Sequence, residues 1–400
     1  MTTLLEAQQQ LQLLAQCDLR IETVELAKAL GRVASADVVA GLDIPPSDNS
    51  AMDGFAVRSS DISKAGTVLT ISQRIPAGSQ AESLAAGTAA RIFTGGVMPS
   101  NADAVVIQEN TEFDEQRVTV NTLAKPGDNV RPCGQDIAQG STVVSLGRRL
   151  SPIDLGLLAS IGKATVEVYR PLRVAIFSSG DELVNPGVEL KPGQIYNSNR
   201  PALMALCEQL GYTALDCGIV EDTLGATKAA LAAAANKADV ILSSGGVSVG
   251  DEDHIKPAVE ALGSLQLWKV QMKPGKPVAF GNVAGTPFLG LPGNPVSSYV
   301  VFQLLGMPLM RALQGQNTTL PRSYSVSAGF SKKTTSREEY IRVRVDINHD
   351  GKLVAQPFAN SSSGVMSSLA WADGLVRQNI DTAIEPDQEV EFLPLRDGLL

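Results

Sequence analysis

Eleven residues of this chain gather small hydroxyls, glycines and carboxylates in one run, Ser243-Ser-Gly-Gly-Val-Ser-Val-Gly-Asp-Glu-Asp253. Ser244, Gly245, Gly246 and Ser248 are small enough to let the backbone approach a ligand. Their N–H groups can then form a concavity that suits phosphate. Asp251, Glu252 and Asp253 follow at once, and two like charges ~4 Å apart repel by roughly 4 kcal/mol at an effective dielectric of ~20. A phosphate held here therefore calls for a divalent cation between it and the acids. Mg²⁺ takes carboxylates together with phosphate oxygens and water. Taken alone, the stretch also reads as a polar loop with a charged helix start.

Further groups of the same chemical kind lie elsewhere. Lys273 and Lys276 stand in Lys273-Pro-Gly-Lys-Pro277, with Lys269 just before them, and could meet an anion in an otherwise acidic protein. Glu182, Asp222, Asp251 and Asp253 offer oxygens to a cation or act as proton acceptors. Asp48, Asn49, Ser50 and Asp53 cluster within six residues. Thr94 ends the run Arg91-Ile-Phe-Thr94 before a glycine pair, and Arg131 and Asp136 flank a sharp turn. Two histidines and four cysteines without CxxC spacing exclude a multi-histidine zinc site and a disulfide framework, and leave little material for a Ser-His-Asp triad. Neither a Walker A motif nor GxGxxG occurs. The residues alone lead to Mg²⁺-dependent phosphate or phosphoanhydride chemistry.

These groups need a scaffold, and the 400 residues, 44% hydrophobic and 19% charged, suffice for several globular domains. A net charge of −9 excludes a general nucleic-acid binder, which needs a basic footprint. No signal-peptide pattern opens the chain and no apolar run approaches the ~20 residues that span a bilayer, so no membrane contact and a reducing, cytoplasmic location are expected.

Leu4, Ala7, Leu11 and Leu14 recur at helical spacing, predicting a helix over 4–16. A short helix is expected over 24–30, with Thr23 capping it and Gly31 stopping it, and another over 152–161. Short β runs punctuated by Gly and Pro fill 58–139. From 173 strands and helices alternate, which implies a mainly parallel sheet with helices on both faces. Its polar loops, 178–182, 221–222, 243–253, 273–276 and 291–295, all fall at strand ends, where such sheets bind ligands. Beyond 318 the pattern is β again. In Tyr340–Ile347, Ile341, Val343, Val345 and Ile347 should face a core and Arg342, Arg344 and Asp346 solvent.

The expected fold class is thus multidomain α/β plus β. A helical linker and dimerisation domain takes 1–44 and 140–172, and a β-rich domain is inserted at 45–139. A doubly wound, mainly parallel α/β domain takes 173–318, and a small C-terminal β-barrel takes 319–400.

Seven motifs, in order along essentially the whole chain, resemble the molybdopterin molybdenumtransferase family. They are Asn49-Ser-Ala-Met-Asp-Gly54, Arg91-Ile-Phe-Thr-Gly95, Gly134-Gln-Asp136, Ser179-Gly-Asp-Glu-Leu183, Ser243 to Gly250, Lys273-Pro-Gly-Lys-Pro277 and Leu291-Pro-Gly-Asn-Pro295. The resemblance implies a molybdopterin-binding α/β domain, a homodimer with intersubunit sites, and a reaction. Adenylylated molybdopterin and molybdate would give molybdenum cofactor and AMP, with Mg²⁺ offsetting charge. Carried over by motif, Asp53, Glu182, Asp222, Asp253, Lys273 and Lys276 would be catalytic. Thr94, Asp136, Ser244, Gly245, Gly246, Ser248, Lys269, Pro292, Pro295, Arg342 and Ser362 would bind substrate. Glu182, Asp222 and either Asp251 or Asp253 would hold the metal. Asp53, Thr94 and Asp136 would come from the partner subunit. Transient contact with a molybdopterin adenylyltransferase and with downstream cofactor-using enzymes is a further expectation. The rival readings are an ATP-dependent molybdopterin adenylyltransferase and a non-catalytic scaffold.

Overall fold

The computed structural model describes residues 2–15, 19–247 and 254–395. At its centre is a six-stranded sheet in the order Thr213–Val220, Arg173–Ser179, Val240–Ser244, Thr286–Leu291, Pro277–Val283, Gly263–Lys269. The first four strands run parallel. The last three of these are buried along almost their whole length because both faces are covered, as parallel sheets require. Val174, Ile176, Val240, Leu242 and Leu289 point to one core layer, whereas Ala175, Phe177, Ile241 and Phe288 point to the other. Helices Asn199–Gln209 and Pro295–Val301 pack with the first layer, and Leu224–Ala235 and Ile255–Leu262 with the second.

Pro277–Val283 is a strand that the alternation did not predict, and it runs antiparallel to both neighbours. It is joined to Thr286–Leu291 by a two-residue turn in which Ala284 and Gly285 take φ of 48° and 89°. Such turns are usually marked by Asn-Gly or Asp-Gly, so Ala-Gly gave little warning. Because this strand reverses, it starts where the parallel strands finish. The Lys273–Pro277 loop is thereby delivered to the same end of the sheet as the other polar loops.

The apolar helix after Asn294 continues from Pro295–Val301 through a π turn, Phe302–Gly306, into Met307–Leu313. These 19 residues are long and apolar enough to cross a membrane, contrary to the expectation that no such run exists. Most of the segment is buried in the core. Pro308 has no N–H for the carbonyl four residues back. That carbonyl, Leu304 O, instead accepts from the buried Gln8 amide at 2.8 Å. The N-terminal helix Leu4–Leu14 is thereby pinned to the sheet domain, with Leu4, Ala7 and Leu11 in the same core. Thr3 and Glu6 close it with a reciprocal capping box.

The short helix expected over 24–30 is absent. Ile21–Glu25 is a strand paired antiparallel with Thr165–Tyr169, followed by a single 3₁₀ turn at Leu26–Lys28. Thr23, expected to cap a helix, faces Glu167 across the strands. Cross-strand pairing has overridden a weak helical pattern.

The β-rich region forms a second six-stranded sheet, ordered Ala104–Ile107, Gly54–Val57, Thr88–Ile92, Thr67–Ile75, Arg117–Val120, Thr111–Phe113. Gly54 is required where it stands, since a Cβ there would lie 2.0 Å from Val106 O.

At the C-terminus, Glu338–Ile347, Leu353–Pro357, Tyr324–Ala328, Glu389–Pro394 and Gly374–Gln378 close into a five-stranded barrel by pairing of the last strand with the first. Ile341 and Val343 face its core as expected, but Ile347 is exposed at the strand end and Arg342 is buried. A short strand, Met272–Lys273, pairs in parallel with Glu338 and Glu339 and ties the α/β sheet to the barrel.

Candidate active site

Two cavities open at the carboxyl end of the central sheet. The first, about 540 Å³, lies among the loops that follow the four parallel strands and includes Ser179, Glu182, Asn197, Asp222, Gly246 and Pro292 in its lining. The second, about 630 Å³, lies between the Lys273 loop and the barrel, where Lys273, Lys332, Arg337, Glu339, Arg342 and Ser362 converge. Ser297, near the start of the apolar helix, lines both.

The first cavity joins predicted residues from separate loops: Glu182, Asp222, Ser244, Gly245, Gly246, Pro292 and Pro295. Ser179 Oγ donates to Asp222 Oδ1 at 3.3 Å, and the Asp222 N–H donates to Asp181 Oδ1 at 3.3 Å. Gly245 and Gly246 take φ of 91° and 67°. At Gly245 a Cβ would meet Ser179 O at 2.6 Å, so glycine lets the loop lie against the neighbouring strand end. Its N–H donates to Leu291 O at 3.0 Å. Gly245 therefore contributes its missing side chain to the site; its amide is committed to the sheet. At Gly246 a Cβ would meet the Ile255 side chain at 2.6 Å.

The sequence argument missed Asn197 and Asn199. Asn199 Nδ2 donates to Ser244 Oγ at 2.8 Å and to Gly293 O at 2.7 Å, strapping two of the loops together. Asn197 is 2% exposed, and its Oδ1 accepts from Ser178 Oγ and from the Arg200 N–H. Those two donors fix the amide orientation, which leaves Nδ2 without a protein partner. The available hint was Asn197-Ser-Asn199 directly before a helix, a pattern that reads as ordinary capping.

In the second cavity, Arg342 donates to Ser362 O at 3.1 Å and to Asn360 O at 3.0 Å, holding the Asn360–Gly364 loop over the space. Burial pulls its guanidinium below the ordinary arginine value, while the Glu339 carboxylate acts in the opposite direction. Arginine remains charged in either case. Lys332, Arg337 and Glu339 were not anticipated, because they precede the expected strand Tyr340–Ile347 in a polar stretch with no periodic pattern.

Several predicted residues lie apart from both cavities. Lys269 ends an edge strand opposite Pro277, and Lys276 is exposed, with its carbonyl accepting from Val270. Asp53, Thr94 and Asp136 belong to the β-rich region. Asp53 Oδ1 accepts from both the N–H and the hydroxyl of Thr94 at 2.8 Å. The Thr94 N–H, followed by its hydroxyl, holds the Asp53 carboxyl below its usual range. The Asp136 N–H donates to Ile44 O. Ser248, Asp251 and Asp253 lie outside the described residues. Among the described residues, no three His, Cys, Asp or Glu side chains converge as a metal site.

Three family profiles match the chain in order. They are the MoeA N-terminal region (domain I and II) over residues 2–162, a probable molybdopterin binding domain over 175–312, and the MoeA C-terminal region (domain IV) over 328–395. A molybdopterin molybdenumtransferase of Haemophilus influenzae is 38% identical over 87% of each chain. One of a Nostoc species is 42% identical over 74% of this chain and 70% of its own. The crystal structure of a molybdopterin biosynthesis MoeA protein from a Pyrococcus species superposes with a TM-score of 0.79 at 32% identity, covering 99% of both chains. With the polar loops of the central sheet, the β-rich sheet and the closed barrel all in place, the chain belongs to the MoeA family of molybdopterin molybdenumtransferases.

Proposed function

We propose that this protein transfers molybdenum from molybdate to adenylylated molybdopterin, releasing AMP and forming molybdenum cofactor. The observation that carries the reading is the pair of adjoining cavities with Ser297 on both. One offers carboxylates that can hold a cation and a close-approach glycine loop, which together suit a Mg²⁺-bound phosphoanhydride, and the other offers Lys273, Lys332, Arg337 and Arg342, as an oxyanion needs. Holding both substrates across one shared wall makes their encounter effectively intramolecular. The dithiolene sulfurs belong to the pterin, so no protein cysteine is required.

Glu182 and Asp222 line one cavity. Mg²⁺ is commonly bound through one or two carboxylates together with substrate phosphates and water. The donor set fits that ion, with Asp251 and Asp253 as further candidates. When bound, Mg²⁺ neutralises phosphate charge as AMP leaves. The chain's own part is to orient the anhydride through the Gly245–Gly246 loop and to hold the oxyanion by Lys273, Arg342 and the Ser362 loop. Asp53 and Thr94 lie away from these cavities, which favours a homodimer in which a second copy brings them to the site. A cytoplasmic location and contact with the enzymes before and after this step belong to the same reading.

An adenylyltransferase would have no use for a cavity shared with the barrel, and a scaffold would need neither cavity. Asp222→Ala and Asp53→Ala should each abolish most turnover while leaving the fold intact by circular dichroism. Normal turnover in both variants would refute the assignment.

A further inference from the structure

The cation-rich cavity contains a carboxylate that faces its cations. Glu339 is 5% exposed, and its Oε1 lies 3.3 Å from Lys273 Nζ and 3.0 Å from Lys332 Nζ. Its charge also acts on Arg342. The backbone beside it is fixed, because Glu339 pairs with Lys273 across the strands that join sheet and barrel. A buried carboxylate beside an anion site weakens anion binding, since like charges set against each other are costly. Four cations crowded without a counter-charge would also be costly.

We infer that Glu339 is a resident counter-charge that pairs with Lys273 until an oxyanion enters, and that Lys332 keeps Glu339 neutralised once Lys273 turns to the anion. Lys273 is the partner placed to exchange, with its side chain 40% exposed against 28% for Lys332. In the resting state Lys273 and Lys332 share one carboxylate. With a tetrahedral dianion present, Lys273 turns to the new ligand and Lys332 stays. Neither state leaves the carboxylate unpaired. Glu339 and Lys332 are thus positioning residues acting through Lys273: Glu339 holds the oxyanion affinity down, and Lys332 offsets that effect. This inference rests on reading the cavity as the oxyanion site.

The test is calorimetric titration of the full-length protein with molybdate, which needs no turnover. Glu339→Gln should bind molybdate about tenfold more tightly, on the scale of removing one like charge that faces the anion. Lys332→Met should bind about tenfold more weakly, because Glu339 then retains Lys273. The double variant should bind at least as tightly as the unmodified protein. A merely structural role predicts loss of affinity in both single variants, and that result would overturn the exchange. Should Glu339→Gln fail to fold, unchanged affinity in Lys332→Met would overturn it equally. No molybdate binding by the unmodified protein would overturn the cavity assignment and the exchange with it. Binding indifferent to both substitutions would overturn the exchange alone.

Discussion

Gly245→Ala is the substitution whose cost can be worked most directly from the geometry. Gly245 stands at φ 91°, where an L-residue pays about 1–2 kcal/mol for the left-handed backbone. The added Cβ would lie 2.6 Å from Ser179 O, about 0.7 Å short of the ~3.3 Å at which carbon and oxygen meet comfortably. The Cβ is fixed rigidly to the main chain and Ser179 O is part of it, so loop or strand end must move. Movement of the loop stretches the 3.0 Å bond from the Gly245 N–H to Leu291 O, worth about 1 kcal/mol. The expected loss is therefore about 2–3 kcal/mol, together with a displaced cavity floor. Gly66→Ala is the control, since Gly66 has φ 84° and open space around a Cβ, leaving only the conformational cost of about 1–2 kcal/mol. Urea unfolding of both variants, with the affinity for adenylylated molybdopterin measured alongside, separates the two terms. If Gly245→Ala is no less stable than Gly66→Ala and binds substrate normally, the account of the loop is wrong.

Two further substitutions address the tie between regions and the missed polar wall. Asp239 accepts a two-pronged pair from Arg170 at 2.6 and 2.7 Å and a 2.7 Å bond from the Arg173 N–H, so Asp239→Asn should cost about 2–4 kcal/mol in chemical unfolding. Burial raises the Asp239 pKa, but the bonds from Arg170 and Arg173 outweigh it and hold it low. Its contribution should be complete above the ordinary aspartate value of about 3.9 and disappear as pH falls through the lower folded value; loss already at neutral pH would contradict this. Asn197→Asp keeps the acceptor used by Ser178 and Arg200 but turns the unpartnered donor into an acceptor. The KM for adenylylated molybdopterin should rise about tenfold with folding unchanged, and an unaltered KM would remove Asn197 from the site.

The fold class and most of the first cavity were legible in the sequence because strand–helix alternation places Asp222, Ser244, Gly245 and Pro292 at one end of the sheet. Small polar residues at successive strand ends are hard to read otherwise. The strand Pro277–Val283 escaped because its hairpin turns on Ala284-Gly285, a dipeptide with a weak turn signature. The strand Ile21–Glu25 escaped because its partner lies more than a hundred residues away, at Thr165–Tyr169. The second cavity was only half visible. Lys273 stood out between prolines, but the alternation of Tyr340–Ile347 assigned Arg342 to solvent, and Glu339 and Lys332 precede that expected strand in a stretch with no pattern. Their convergence depends on the short pairing of Met272–Lys273 with Glu338 and Glu339, which no local pattern encodes. Asn197 shows the same limit, since burial turned an apparent capping residue into a cavity wall.

The most direct test of the central claim is AMP release from adenylylated molybdopterin with Mg²⁺, measured with and without micromolar molybdate. The account predicts that molybdate stimulates release and that the product activates an apo-molybdoenzyme. No release, with ATP-dependent formation of the adenylylated pterin instead, would contradict it and assign the protein to the preceding step.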